Sequence, residues 1–235
     1  GGFILIIIAH LRELRNSYRY SHKGLATMDF DYSLHIFHSP GFRSIVDDAI
    51  RFFAETPVHR LPPPGRFIGA CVYGLYYIGD YELYGKIANL NRDTCVQPIY
   101  VGKAVPSGWR TARVMDSETP DLYRRLQEHM RSIQQAANLR IDDFRCRFMI
   151  LTDVEGDLVV PVEAELIRKY KPLWNTVIDG FGNHDPGIGR YNQTRSEWDV
   201  LHPGRVWAER LTGGSPRLED LIAKIQQFLA RSPFP

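Results

Sequence analysis

The sequence predicts a small mixed α/β domain with long elaborations. Short runs dense in β-formers alternate with helical stretches in the order strand, strand, helix, strand, helix. The 235 residues are 44% apolar and 24% charged, a globular composition on a chain long enough to bury a sizeable core. Neither internal repeats nor low-complexity tracts interrupt the pattern.

Taken in order, the chain begins with Gly, and residues 3–9 read FILIIIA. That run is too short for a bilayer, which needs about 20 residues, and it lacks the basic and small flanks of a signal peptide. Residues 1–27 are therefore expected to be an upstream extension, disordered or not native, ahead of a single domain at 28–235 that opens at Met28. Residues 42–54 set Phe42, Ile45, Val46, Ala49, Ile50 and Phe53 on one helical face. Leu61-Pro-Pro-Pro-Gly65 is a stiff linker.

Ala70–Ile78 reads as a strand ending at a Gly79-Asp80 turn, Pro98–Lys103 as a second and Cys146–Leu151 as a third. Tyr81–Gln97, rich in Tyr, Asn and Arg, is long for a hairpin loop, and loops of that length tend to be functional. Leu122–Ala137 is a helix with a stripe of Leu122, Leu126, Met130, Ile133 and Ala137. Another helix starts at Pro161, a favoured first position, and runs to about Tyr170. Asp179–Arg205 is Gly-, Asn- and Pro-rich and reads as a long ordered loop. Arg217–Leu229 carries Leu218, Leu221, Ile222, Ile225 and Leu229 at helical spacing and closes the domain; the SPFP that follows cannot continue the helix.

Net charge is +2, from 29 Lys+Arg and 27 Asp+Glu. That excludes a polybasic tail protein and an acidic disordered one, so a nucleic-acid partner would need its positive charge concentrated in a groove. Cys71, Cys95 and Cys146 are odd in number and far apart, without C-x-x-C. Their spacing argues against a disulfide framework or a zinc site and for a reducing, cytoplasmic compartment.

Three features could carry chemistry. Glu163 shares a helical face with Ile167 and Tyr170, while Glu165 is expected to pair outward with Lys169 at i+4. An inward carboxylate calls for a metal, a cation or a raised pKa, unless it merely favours the helix N-terminus; both readings stay open. Arg125 and His129, at i,i+4, sit at the edge of the buried stripe, suited either to phosphate and proton handling or to a plain basic surface. Tyr73 and Tyr100 occupy the centres of two strands, each beside a Gly, and either pack or point two phenols into one pocket. Lys103 would add charge there or sit solvated at a strand end.

Ordered along the chain, Tyr73, Tyr100, Arg125, His129, Glu163 and Asn175 lie in CVY (71–73), YVG (100–102), RLQEH (125–129), VEAELI (162–167) and KPLWN (171–175). This set resembles the GIY-YIG nuclease family. Within it, RFFAETPVHRLPPP, YVGKAVPSGWR, VEAELIRKYKPLWN, DGFGNHDPGIGR and WDVLHPGR are most similar to type II restriction endonucleases that cut a GC-rich palindrome of the CCGCGG type. Those stretches cover most of residues 42–207. One departure is Cys71, where the family's motif has Gly, and tighter packing is expected from it.

The resemblance implies a compact α/β core at about 68–176, with a small antiparallel three-stranded sheet flanked by helices. DNA-reading elaborations would lie at about 81–97 and 179–207. It implies Mg2+-dependent hydrolysis of a phosphodiester, with one metal per site on Glu163 and Mn2+ as a substitute. Arg125 would bind the phosphate, Tyr73 take the water's proton, and either His129 or Lys103 assist it. Tyr100 would hydrogen-bond the phosphate or a water, and Asn175 hold the site together. Base contacts would come from Asn183, His184, Arg190, Asn192, Gln193 and Arg195, with Arg92, Gln97 and Arg113 as further candidates. A palindromic duplex implies a homodimer and a cognate methyltransferase as partners, with no membrane. Competing readings are a structure-specific repair or recombination nuclease, a non-catalytic DNA-binding relative, and an α/β domain whose Tyr and Glu residues only pack. The near-neutral charge weighs against the first of these.

Overall fold

The computed structural model describes residues 31–65, 69–105, 121–231 and 234. The expected extension at 1–27 and the candidate Arg113 lie outside the described residues. Residues 31–39 belong to a separate unit from 40–235. In the first, Asp31 caps the 3-10 turn Tyr32–His35 by accepting from the Ser33 amide at 2.9 Å and its hydroxyl at 2.7 Å.

In the second unit the described residues form four strands, β1 (His59–Arg60), β2 (Ala70–Tyr77), β3 (Tyr100–Ala104) and β4 (Phe144–Leu151). They make one antiparallel sheet in the order β1-β4-β2-β3. The expected three strands are present, and the fourth, β1, corrects the count. It is two residues long and exists through its pairing of His59 with Cys146 and Arg60 with Arg145. So short a segment carries no alternating pattern of its own.

Seven α-helices are described: α1 (Pro40–Glu55), α2 (Gly85–Asn91), α3 (Asp121–Gln135), α4 (Val159–Tyr170), α5 (Leu173–Thr176), α6 (Glu197–Leu201) and α7 (Leu218–Arg231). The alternation of β2 sends its odd residues to one face and its even residues to the other. Cys71, Tyr73, Leu75 and Tyr77 enter a core with Leu126 and Ile133 of α3, Trp174 of α5, Trp198 of α6 and Ile225 of α7. Ala70 and Val72, with Val101, Met149 and Leu151, instead meet Val46, Ile50 and Phe53 of α1 and Val162 and Leu166 of α4. The sheet is thus covered by helices on both sides, and β3 is an edge strand.

Several sequence expectations shift. Only Val46, Ile50 and Phe53 of the α1 stripe are buried, and Phe42 and Ile45 are exposed. On α3 the buried positions are Leu126, His129 and Ile133, followed by Ala136 just past its end, so the stripe runs through His129 rather than Met130 and Ala137. Helix α4 starts two residues before Pro161, continuing the 3-10 stretch Asp153–Leu158. It ends at Lys171, whose φ of 44° is left-handed and whose N–H bonds Ile167 O at 2.8 Å.

The segment Tyr81–Gln97 is part of the core, not a loop. Tyr84, Ile87, Ala88 and Asn91 are buried along a 3-10 turn and α2. Asn91 ties this segment down by donating to Tyr77 O and Gln97 O and accepting from the Val96 and Gln97 amides, all within 3.1 Å. Gln97 is buried and its amide bonds Tyr170 O at 2.8 Å, so it cannot reach a base edge.

Candidate active site around the edge strand

Antiparallel register decides which side chains meet. Tyr73 pairs with Gly102 and Leu75 with Tyr100, which puts both phenols on the same face. Their ring centroids are 6.3 Å apart. Gly102 makes the room: a Cβ there would lie 2.5 Å from the Tyr73 hydroxyl and 2.9 Å from Tyr100 Cε1. Lys103 is one residue on, opposite Val72, so the pleat turns it to the other face.

Helix α3 lies over the first face and brings His129 onto Tyr73, with Nε2 2.6 Å from the phenol oxygen. Both side chains are buried. Burial holds the Tyr73 hydroxyl well above its ordinary pKa, the neighbouring Tyr100 adds to this, and Arg125 opposes it. Burial likewise holds His129 well below its ordinary value, with the charge of Arg125 next. The pair is therefore a neutral phenol against a neutral imidazole. His129 also stacks on Phe181 at 4.6 Å and 15° and meets the Tyr100 ring at 5.2 Å.

Arg125, one turn earlier, is half-buried. Its Nη1 donates to Glu128 at 3.1 Å and to His184 Nε2, and its Nη2 to Gly182 O at 3.1 Å. The position of a Cβ built on Gly182 is 3.1 Å from the Tyr100 hydroxyl and 3.3 Å from Arg125 Nη2, so these two groups converge at that glycine. Burial raises the Tyr100 pKa, and Arg125 pulls against it.

On the second face, Glu163 of α4 accepts from Lys103 Nζ in an ion pair. Glu163 also acts on the Tyr100 hydroxyl, raising its pKa, so the two faces meet around the edge strand. Glu165 does not pair outward with Lys169. It bonds Arg168 Nε at 2.7 Å and lies 3.6 Å from Arg43 of α1, because i+3 is as close as i+4 on a helix and α1 supplies a second cation. Its side chain, 17% exposed, is as sheltered as that of Glu163 at 16%.

Asn175 of α5 seals the open edge of β3. Its Oδ1 accepts from the Val101 amide and its Nδ2 donates to Val101 O, each at 2.8 Å. The Trp174 amide adds a bond to Ile99 O at 2.9 Å. Tyr73, Tyr100, Arg125, His129, Glu163, Lys103 and Asn175 thus surround one strand. Cys71 is buried on the Tyr73 face opposite Ala104. It and the other two thiols are free and buried.

Of the candidate base readers, His184 is hydrogen-bonded to Arg125 in the site. Arg190, on a 3-10 turn, and Asn183, Asn192 and Gln193 are exposed. Arg195 is ion-paired with Glu209 at 3.1 Å and only partly exposed. Arg92 lies 3.7 Å from Asp80. The sequence reading gave no role to Phe181 or Arg205, both of which are buried. It missed as well a second Tyr–His pair: Trp174 Nε1 donates to the Tyr84 hydroxyl, which lies 2.6 Å from His202 Nε2, and His202 Nδ1 donates to Asn138 Oδ1 at 2.8 Å. Burial, with the charge of Arg205, pulls His202 down to about 3. No helix among the described residues is long and apolar enough to cross a membrane.

The chain matches the family described as Eco29kI GIY-YIG domain over residues 65–229. No curated protein matches it.

Proposed function

The chain belongs to the Eco29kI GIY-YIG family, a family of type II restriction endonucleases, and from that premise we propose that it cuts double-stranded DNA at a GC-rich palindrome with the help of Mg2+. The observation that carries this reading is the neutral Tyr73–His129 pair beside Arg125, set across β3 from Glu163.

Hydrolysis requires an activated water and neutralisation of charge on the phosphorane. Tyr73 receives the water's proton as its own passes to His129 Nε2, at 2.6 Å. A phenol alone, with a pKa of about 10, is a poor base near neutrality. Coupled to an imidazole that is unprotonated before the step and takes the proton in it, the phenol becomes a relay and is never left as a buried phenolate. Lys103 is the weaker candidate for that partner role, since it is committed to Glu163 on the opposite face. Arg125 turns its guanidinium to a non-bridging phosphate oxygen, and Tyr100 orients the same phosphate by a hydrogen bond. Asn175 keeps β3 in register so that Tyr100 and Lys103 stay on their respective faces.

Among the described residues no group of three His, Cys, Asp or Glu side chains could hold a metal ion. The donor set is one carboxylate, Glu163. That suits Mg2+, which binds through one or two carboxylates and keeps several waters, and Mn2+ could take the same position. When bound, the cation would offset charge on the phosphate and leaving oxygen. Lys103 holds the Glu163 carboxylate in place until then.

A palindromic target calls for two copies of the chain, each cutting one strand, and a cognate methyltransferase to protect host DNA. Guanines would be read by Arg190 and Arg195, with Asn183, Asn192 and Gln193 beside them; Arg113 completes the set of candidates. A DNA substrate and three free thiols suit a reducing cytoplasm. The test is digestion of a plasmid of known sequence with Mg2+, beside Glu163→Gln and a chelator control. Discrete fragments that require both Glu163 and metal are expected. Cutting restricted to branched DNA would point to a repair nuclease instead, and tight binding without cutting to a non-catalytic relative.

A further inference from the structure

We propose that Arg205 is a positioning residue for cleavage: it grips the 180–184 loop from within the core so that this loop sets Arg125 and His129. The inference rests on the roles given to those two residues above. Arg205 is 1% exposed and cannot touch DNA. All its donor nitrogens are used. Nε and Nη2 bond the two oxygens of Asp199 at 2.6 and 2.8 Å. Nη2 also reaches Gly180 O at 2.8 Å, and Nη1 reaches Phe181 O at 3.1 Å and Asn183 O at 3.2 Å. The indoles of Trp198 and Trp207 lie over the guanidinium at 4.6 and 4.7 Å. Asp199 is held in turn by the Ser196 hydroxyl at 2.6 Å.

Three carbonyls within four residues thus converge on one buried cation. The remaining one, Gly182 O, accepts from Arg125 Nη2. The same loop lays Phe181 flat on His129 and edge-on to Tyr100 at 4.9 Å, and its His184 accepts from Arg125 Nη1. One short segment without regular secondary structure therefore touches Tyr100, Arg125 and His129, and Arg205 fixes it from behind. A lysine would keep the charge but not the planar fork, so it could not hold the carboxylate and the three carbonyls together. A core arginine that only satisfied loop carbonyls would affect stability. A positioning one must also change how His129 behaves. The groups that face His129 are Tyr73, Tyr100, Arg125, His184 and Arg205, and Phe181 shields it from water.

The experiment compares the intact protein with Arg205→Lys and with the milder Phe181→Leu. Three quantities are read: thermal melting, the His129 titration by NMR, and the single-turnover rate of cutting pre-bound duplex against pH. Arg205→Lys is expected to cut about 10- to 100-fold more slowly, as for a misplacement of about 1 Å. In both variants water reaches His129, so its pKa rises towards the ordinary value and the acid limb of the rate profile moves to higher pH with it. A lower melting temperature with the rate, the acid limb and the His129 titration unmoved would overturn the proposal. If Arg205→Lys does not fold, Phe181→Leu decides by the same criteria. If the intact chain cuts no duplex, the nuclease reading fails, and the His129 titration still judges the clamp.

Discussion

Tyr73→Phe and His129→Leu, made singly and together, test the relay through the sign of their coupling. Tyr73→Phe keeps the ring in its buried slot and deletes one oxygen, leaving His129 Nε2 without the partner now at 2.6 Å. An orphaned buried acceptor costs about 1–3 kcal/mol. For a chain of this size that lowers the melting temperature by roughly 2–12 °C. Removing a general base costs about 10²–10⁴ in rate, far more than a loss of stability on that scale would produce while the protein stays folded. His129→Leu orphans the Tyr73 hydroxyl in the same way. In the double variant both polar partners are gone and two apolar groups face each other, so its stability should recover above either single variant. If proton transfer uses the pair as a unit, the double variant cuts no more slowly than the slower single one. The assays are urea unfolding and single-turnover cutting of a duplex carrying the mapped site, with binding measured separately. Independent, additive losses in both stability and rate would refute the relay. So would a Tyr73→Phe variant that cuts within about threefold of the intact protein.

Three other outcomes follow from the same geometry. Gly102→Ala adds a Cβ 2.5 Å from the Tyr73 hydroxyl and 2.7 Å from its Cζ, so the phenol must move; overpacking of about 1–3 kcal/mol and a loss of cutting larger than the loss of DNA binding are expected, read by unfolding and cleavage side by side. Burial places His129 and His202 below their ordinary pKa, His202 at about 3, so on acidification the unfolded chain takes up protons first. Their contribution is complete above about pH 6.5 and is lost as pH falls from there, for His202 down to about 3, at up to about 1.4 kcal/mol per pH unit for each histidine. Urea midpoints between about pH 6.5 and 5 should fall for the intact chain and fall less steeply for His202→Gln. Asn175→Ala removes both bonds to Val101 on the outer edge of β3. Faster hydrogen exchange at the Val101 amide and slower cutting are expected, and an unchanged exchange rate would mean that α5 does not seal this edge.

The legible part of the molecule was the part whose signal is local. Strand β2 is legible as ACVYGLYY because both its faces are buried and most of its positions, Ala70 and Gly74 apart, favour β structure. The candidate set is legible because its motifs, taken in order, resemble a family, not because any one residue betrays itself. What escaped depended on polar residues acting as core. Tyr84, Ile87, Ala88 and Asn91 have the spacing of a buried helical face, hidden because Asn counts as polar until its four backbone bonds are seen. For the same reason the sequence puts His129 at the edge of the buried stripe and runs that stripe one residue out of phase, through Met130. Arg205 is the extreme case. A lone arginine in a loop is ordinarily exposed, and only Trp198, Asp199 and Trp207 nearby in the sequence hint at a buried cation.

The edge position of β3 links these observations. A central strand is hydrogen-bonded along both sides, and neighbouring strands would bar a duplex from reaching residues that alternate across it. An edge strand leaves both faces reachable at one border, at the risk of pairing with another chain. Asn175 and the Trp174 amide occupy the outward groups of Val101 and Ile99, which covers that end of the edge without adding a strand. The pleat then divides the chemistry by face. Tyr100 joins the phenol, imidazole and guanidinium under α3, and Lys103, three residues on, joins the carboxylate under α4. The reason for the separation is electrostatic. Were Glu163 on the α3 face, its charge would draw a proton onto His129 and cancel the effect of burial that keeps this base free. Holding the carboxylate on the far side, paired with Lys103, lets one strand carry an anion on one face and an uncharged imidazole against the other.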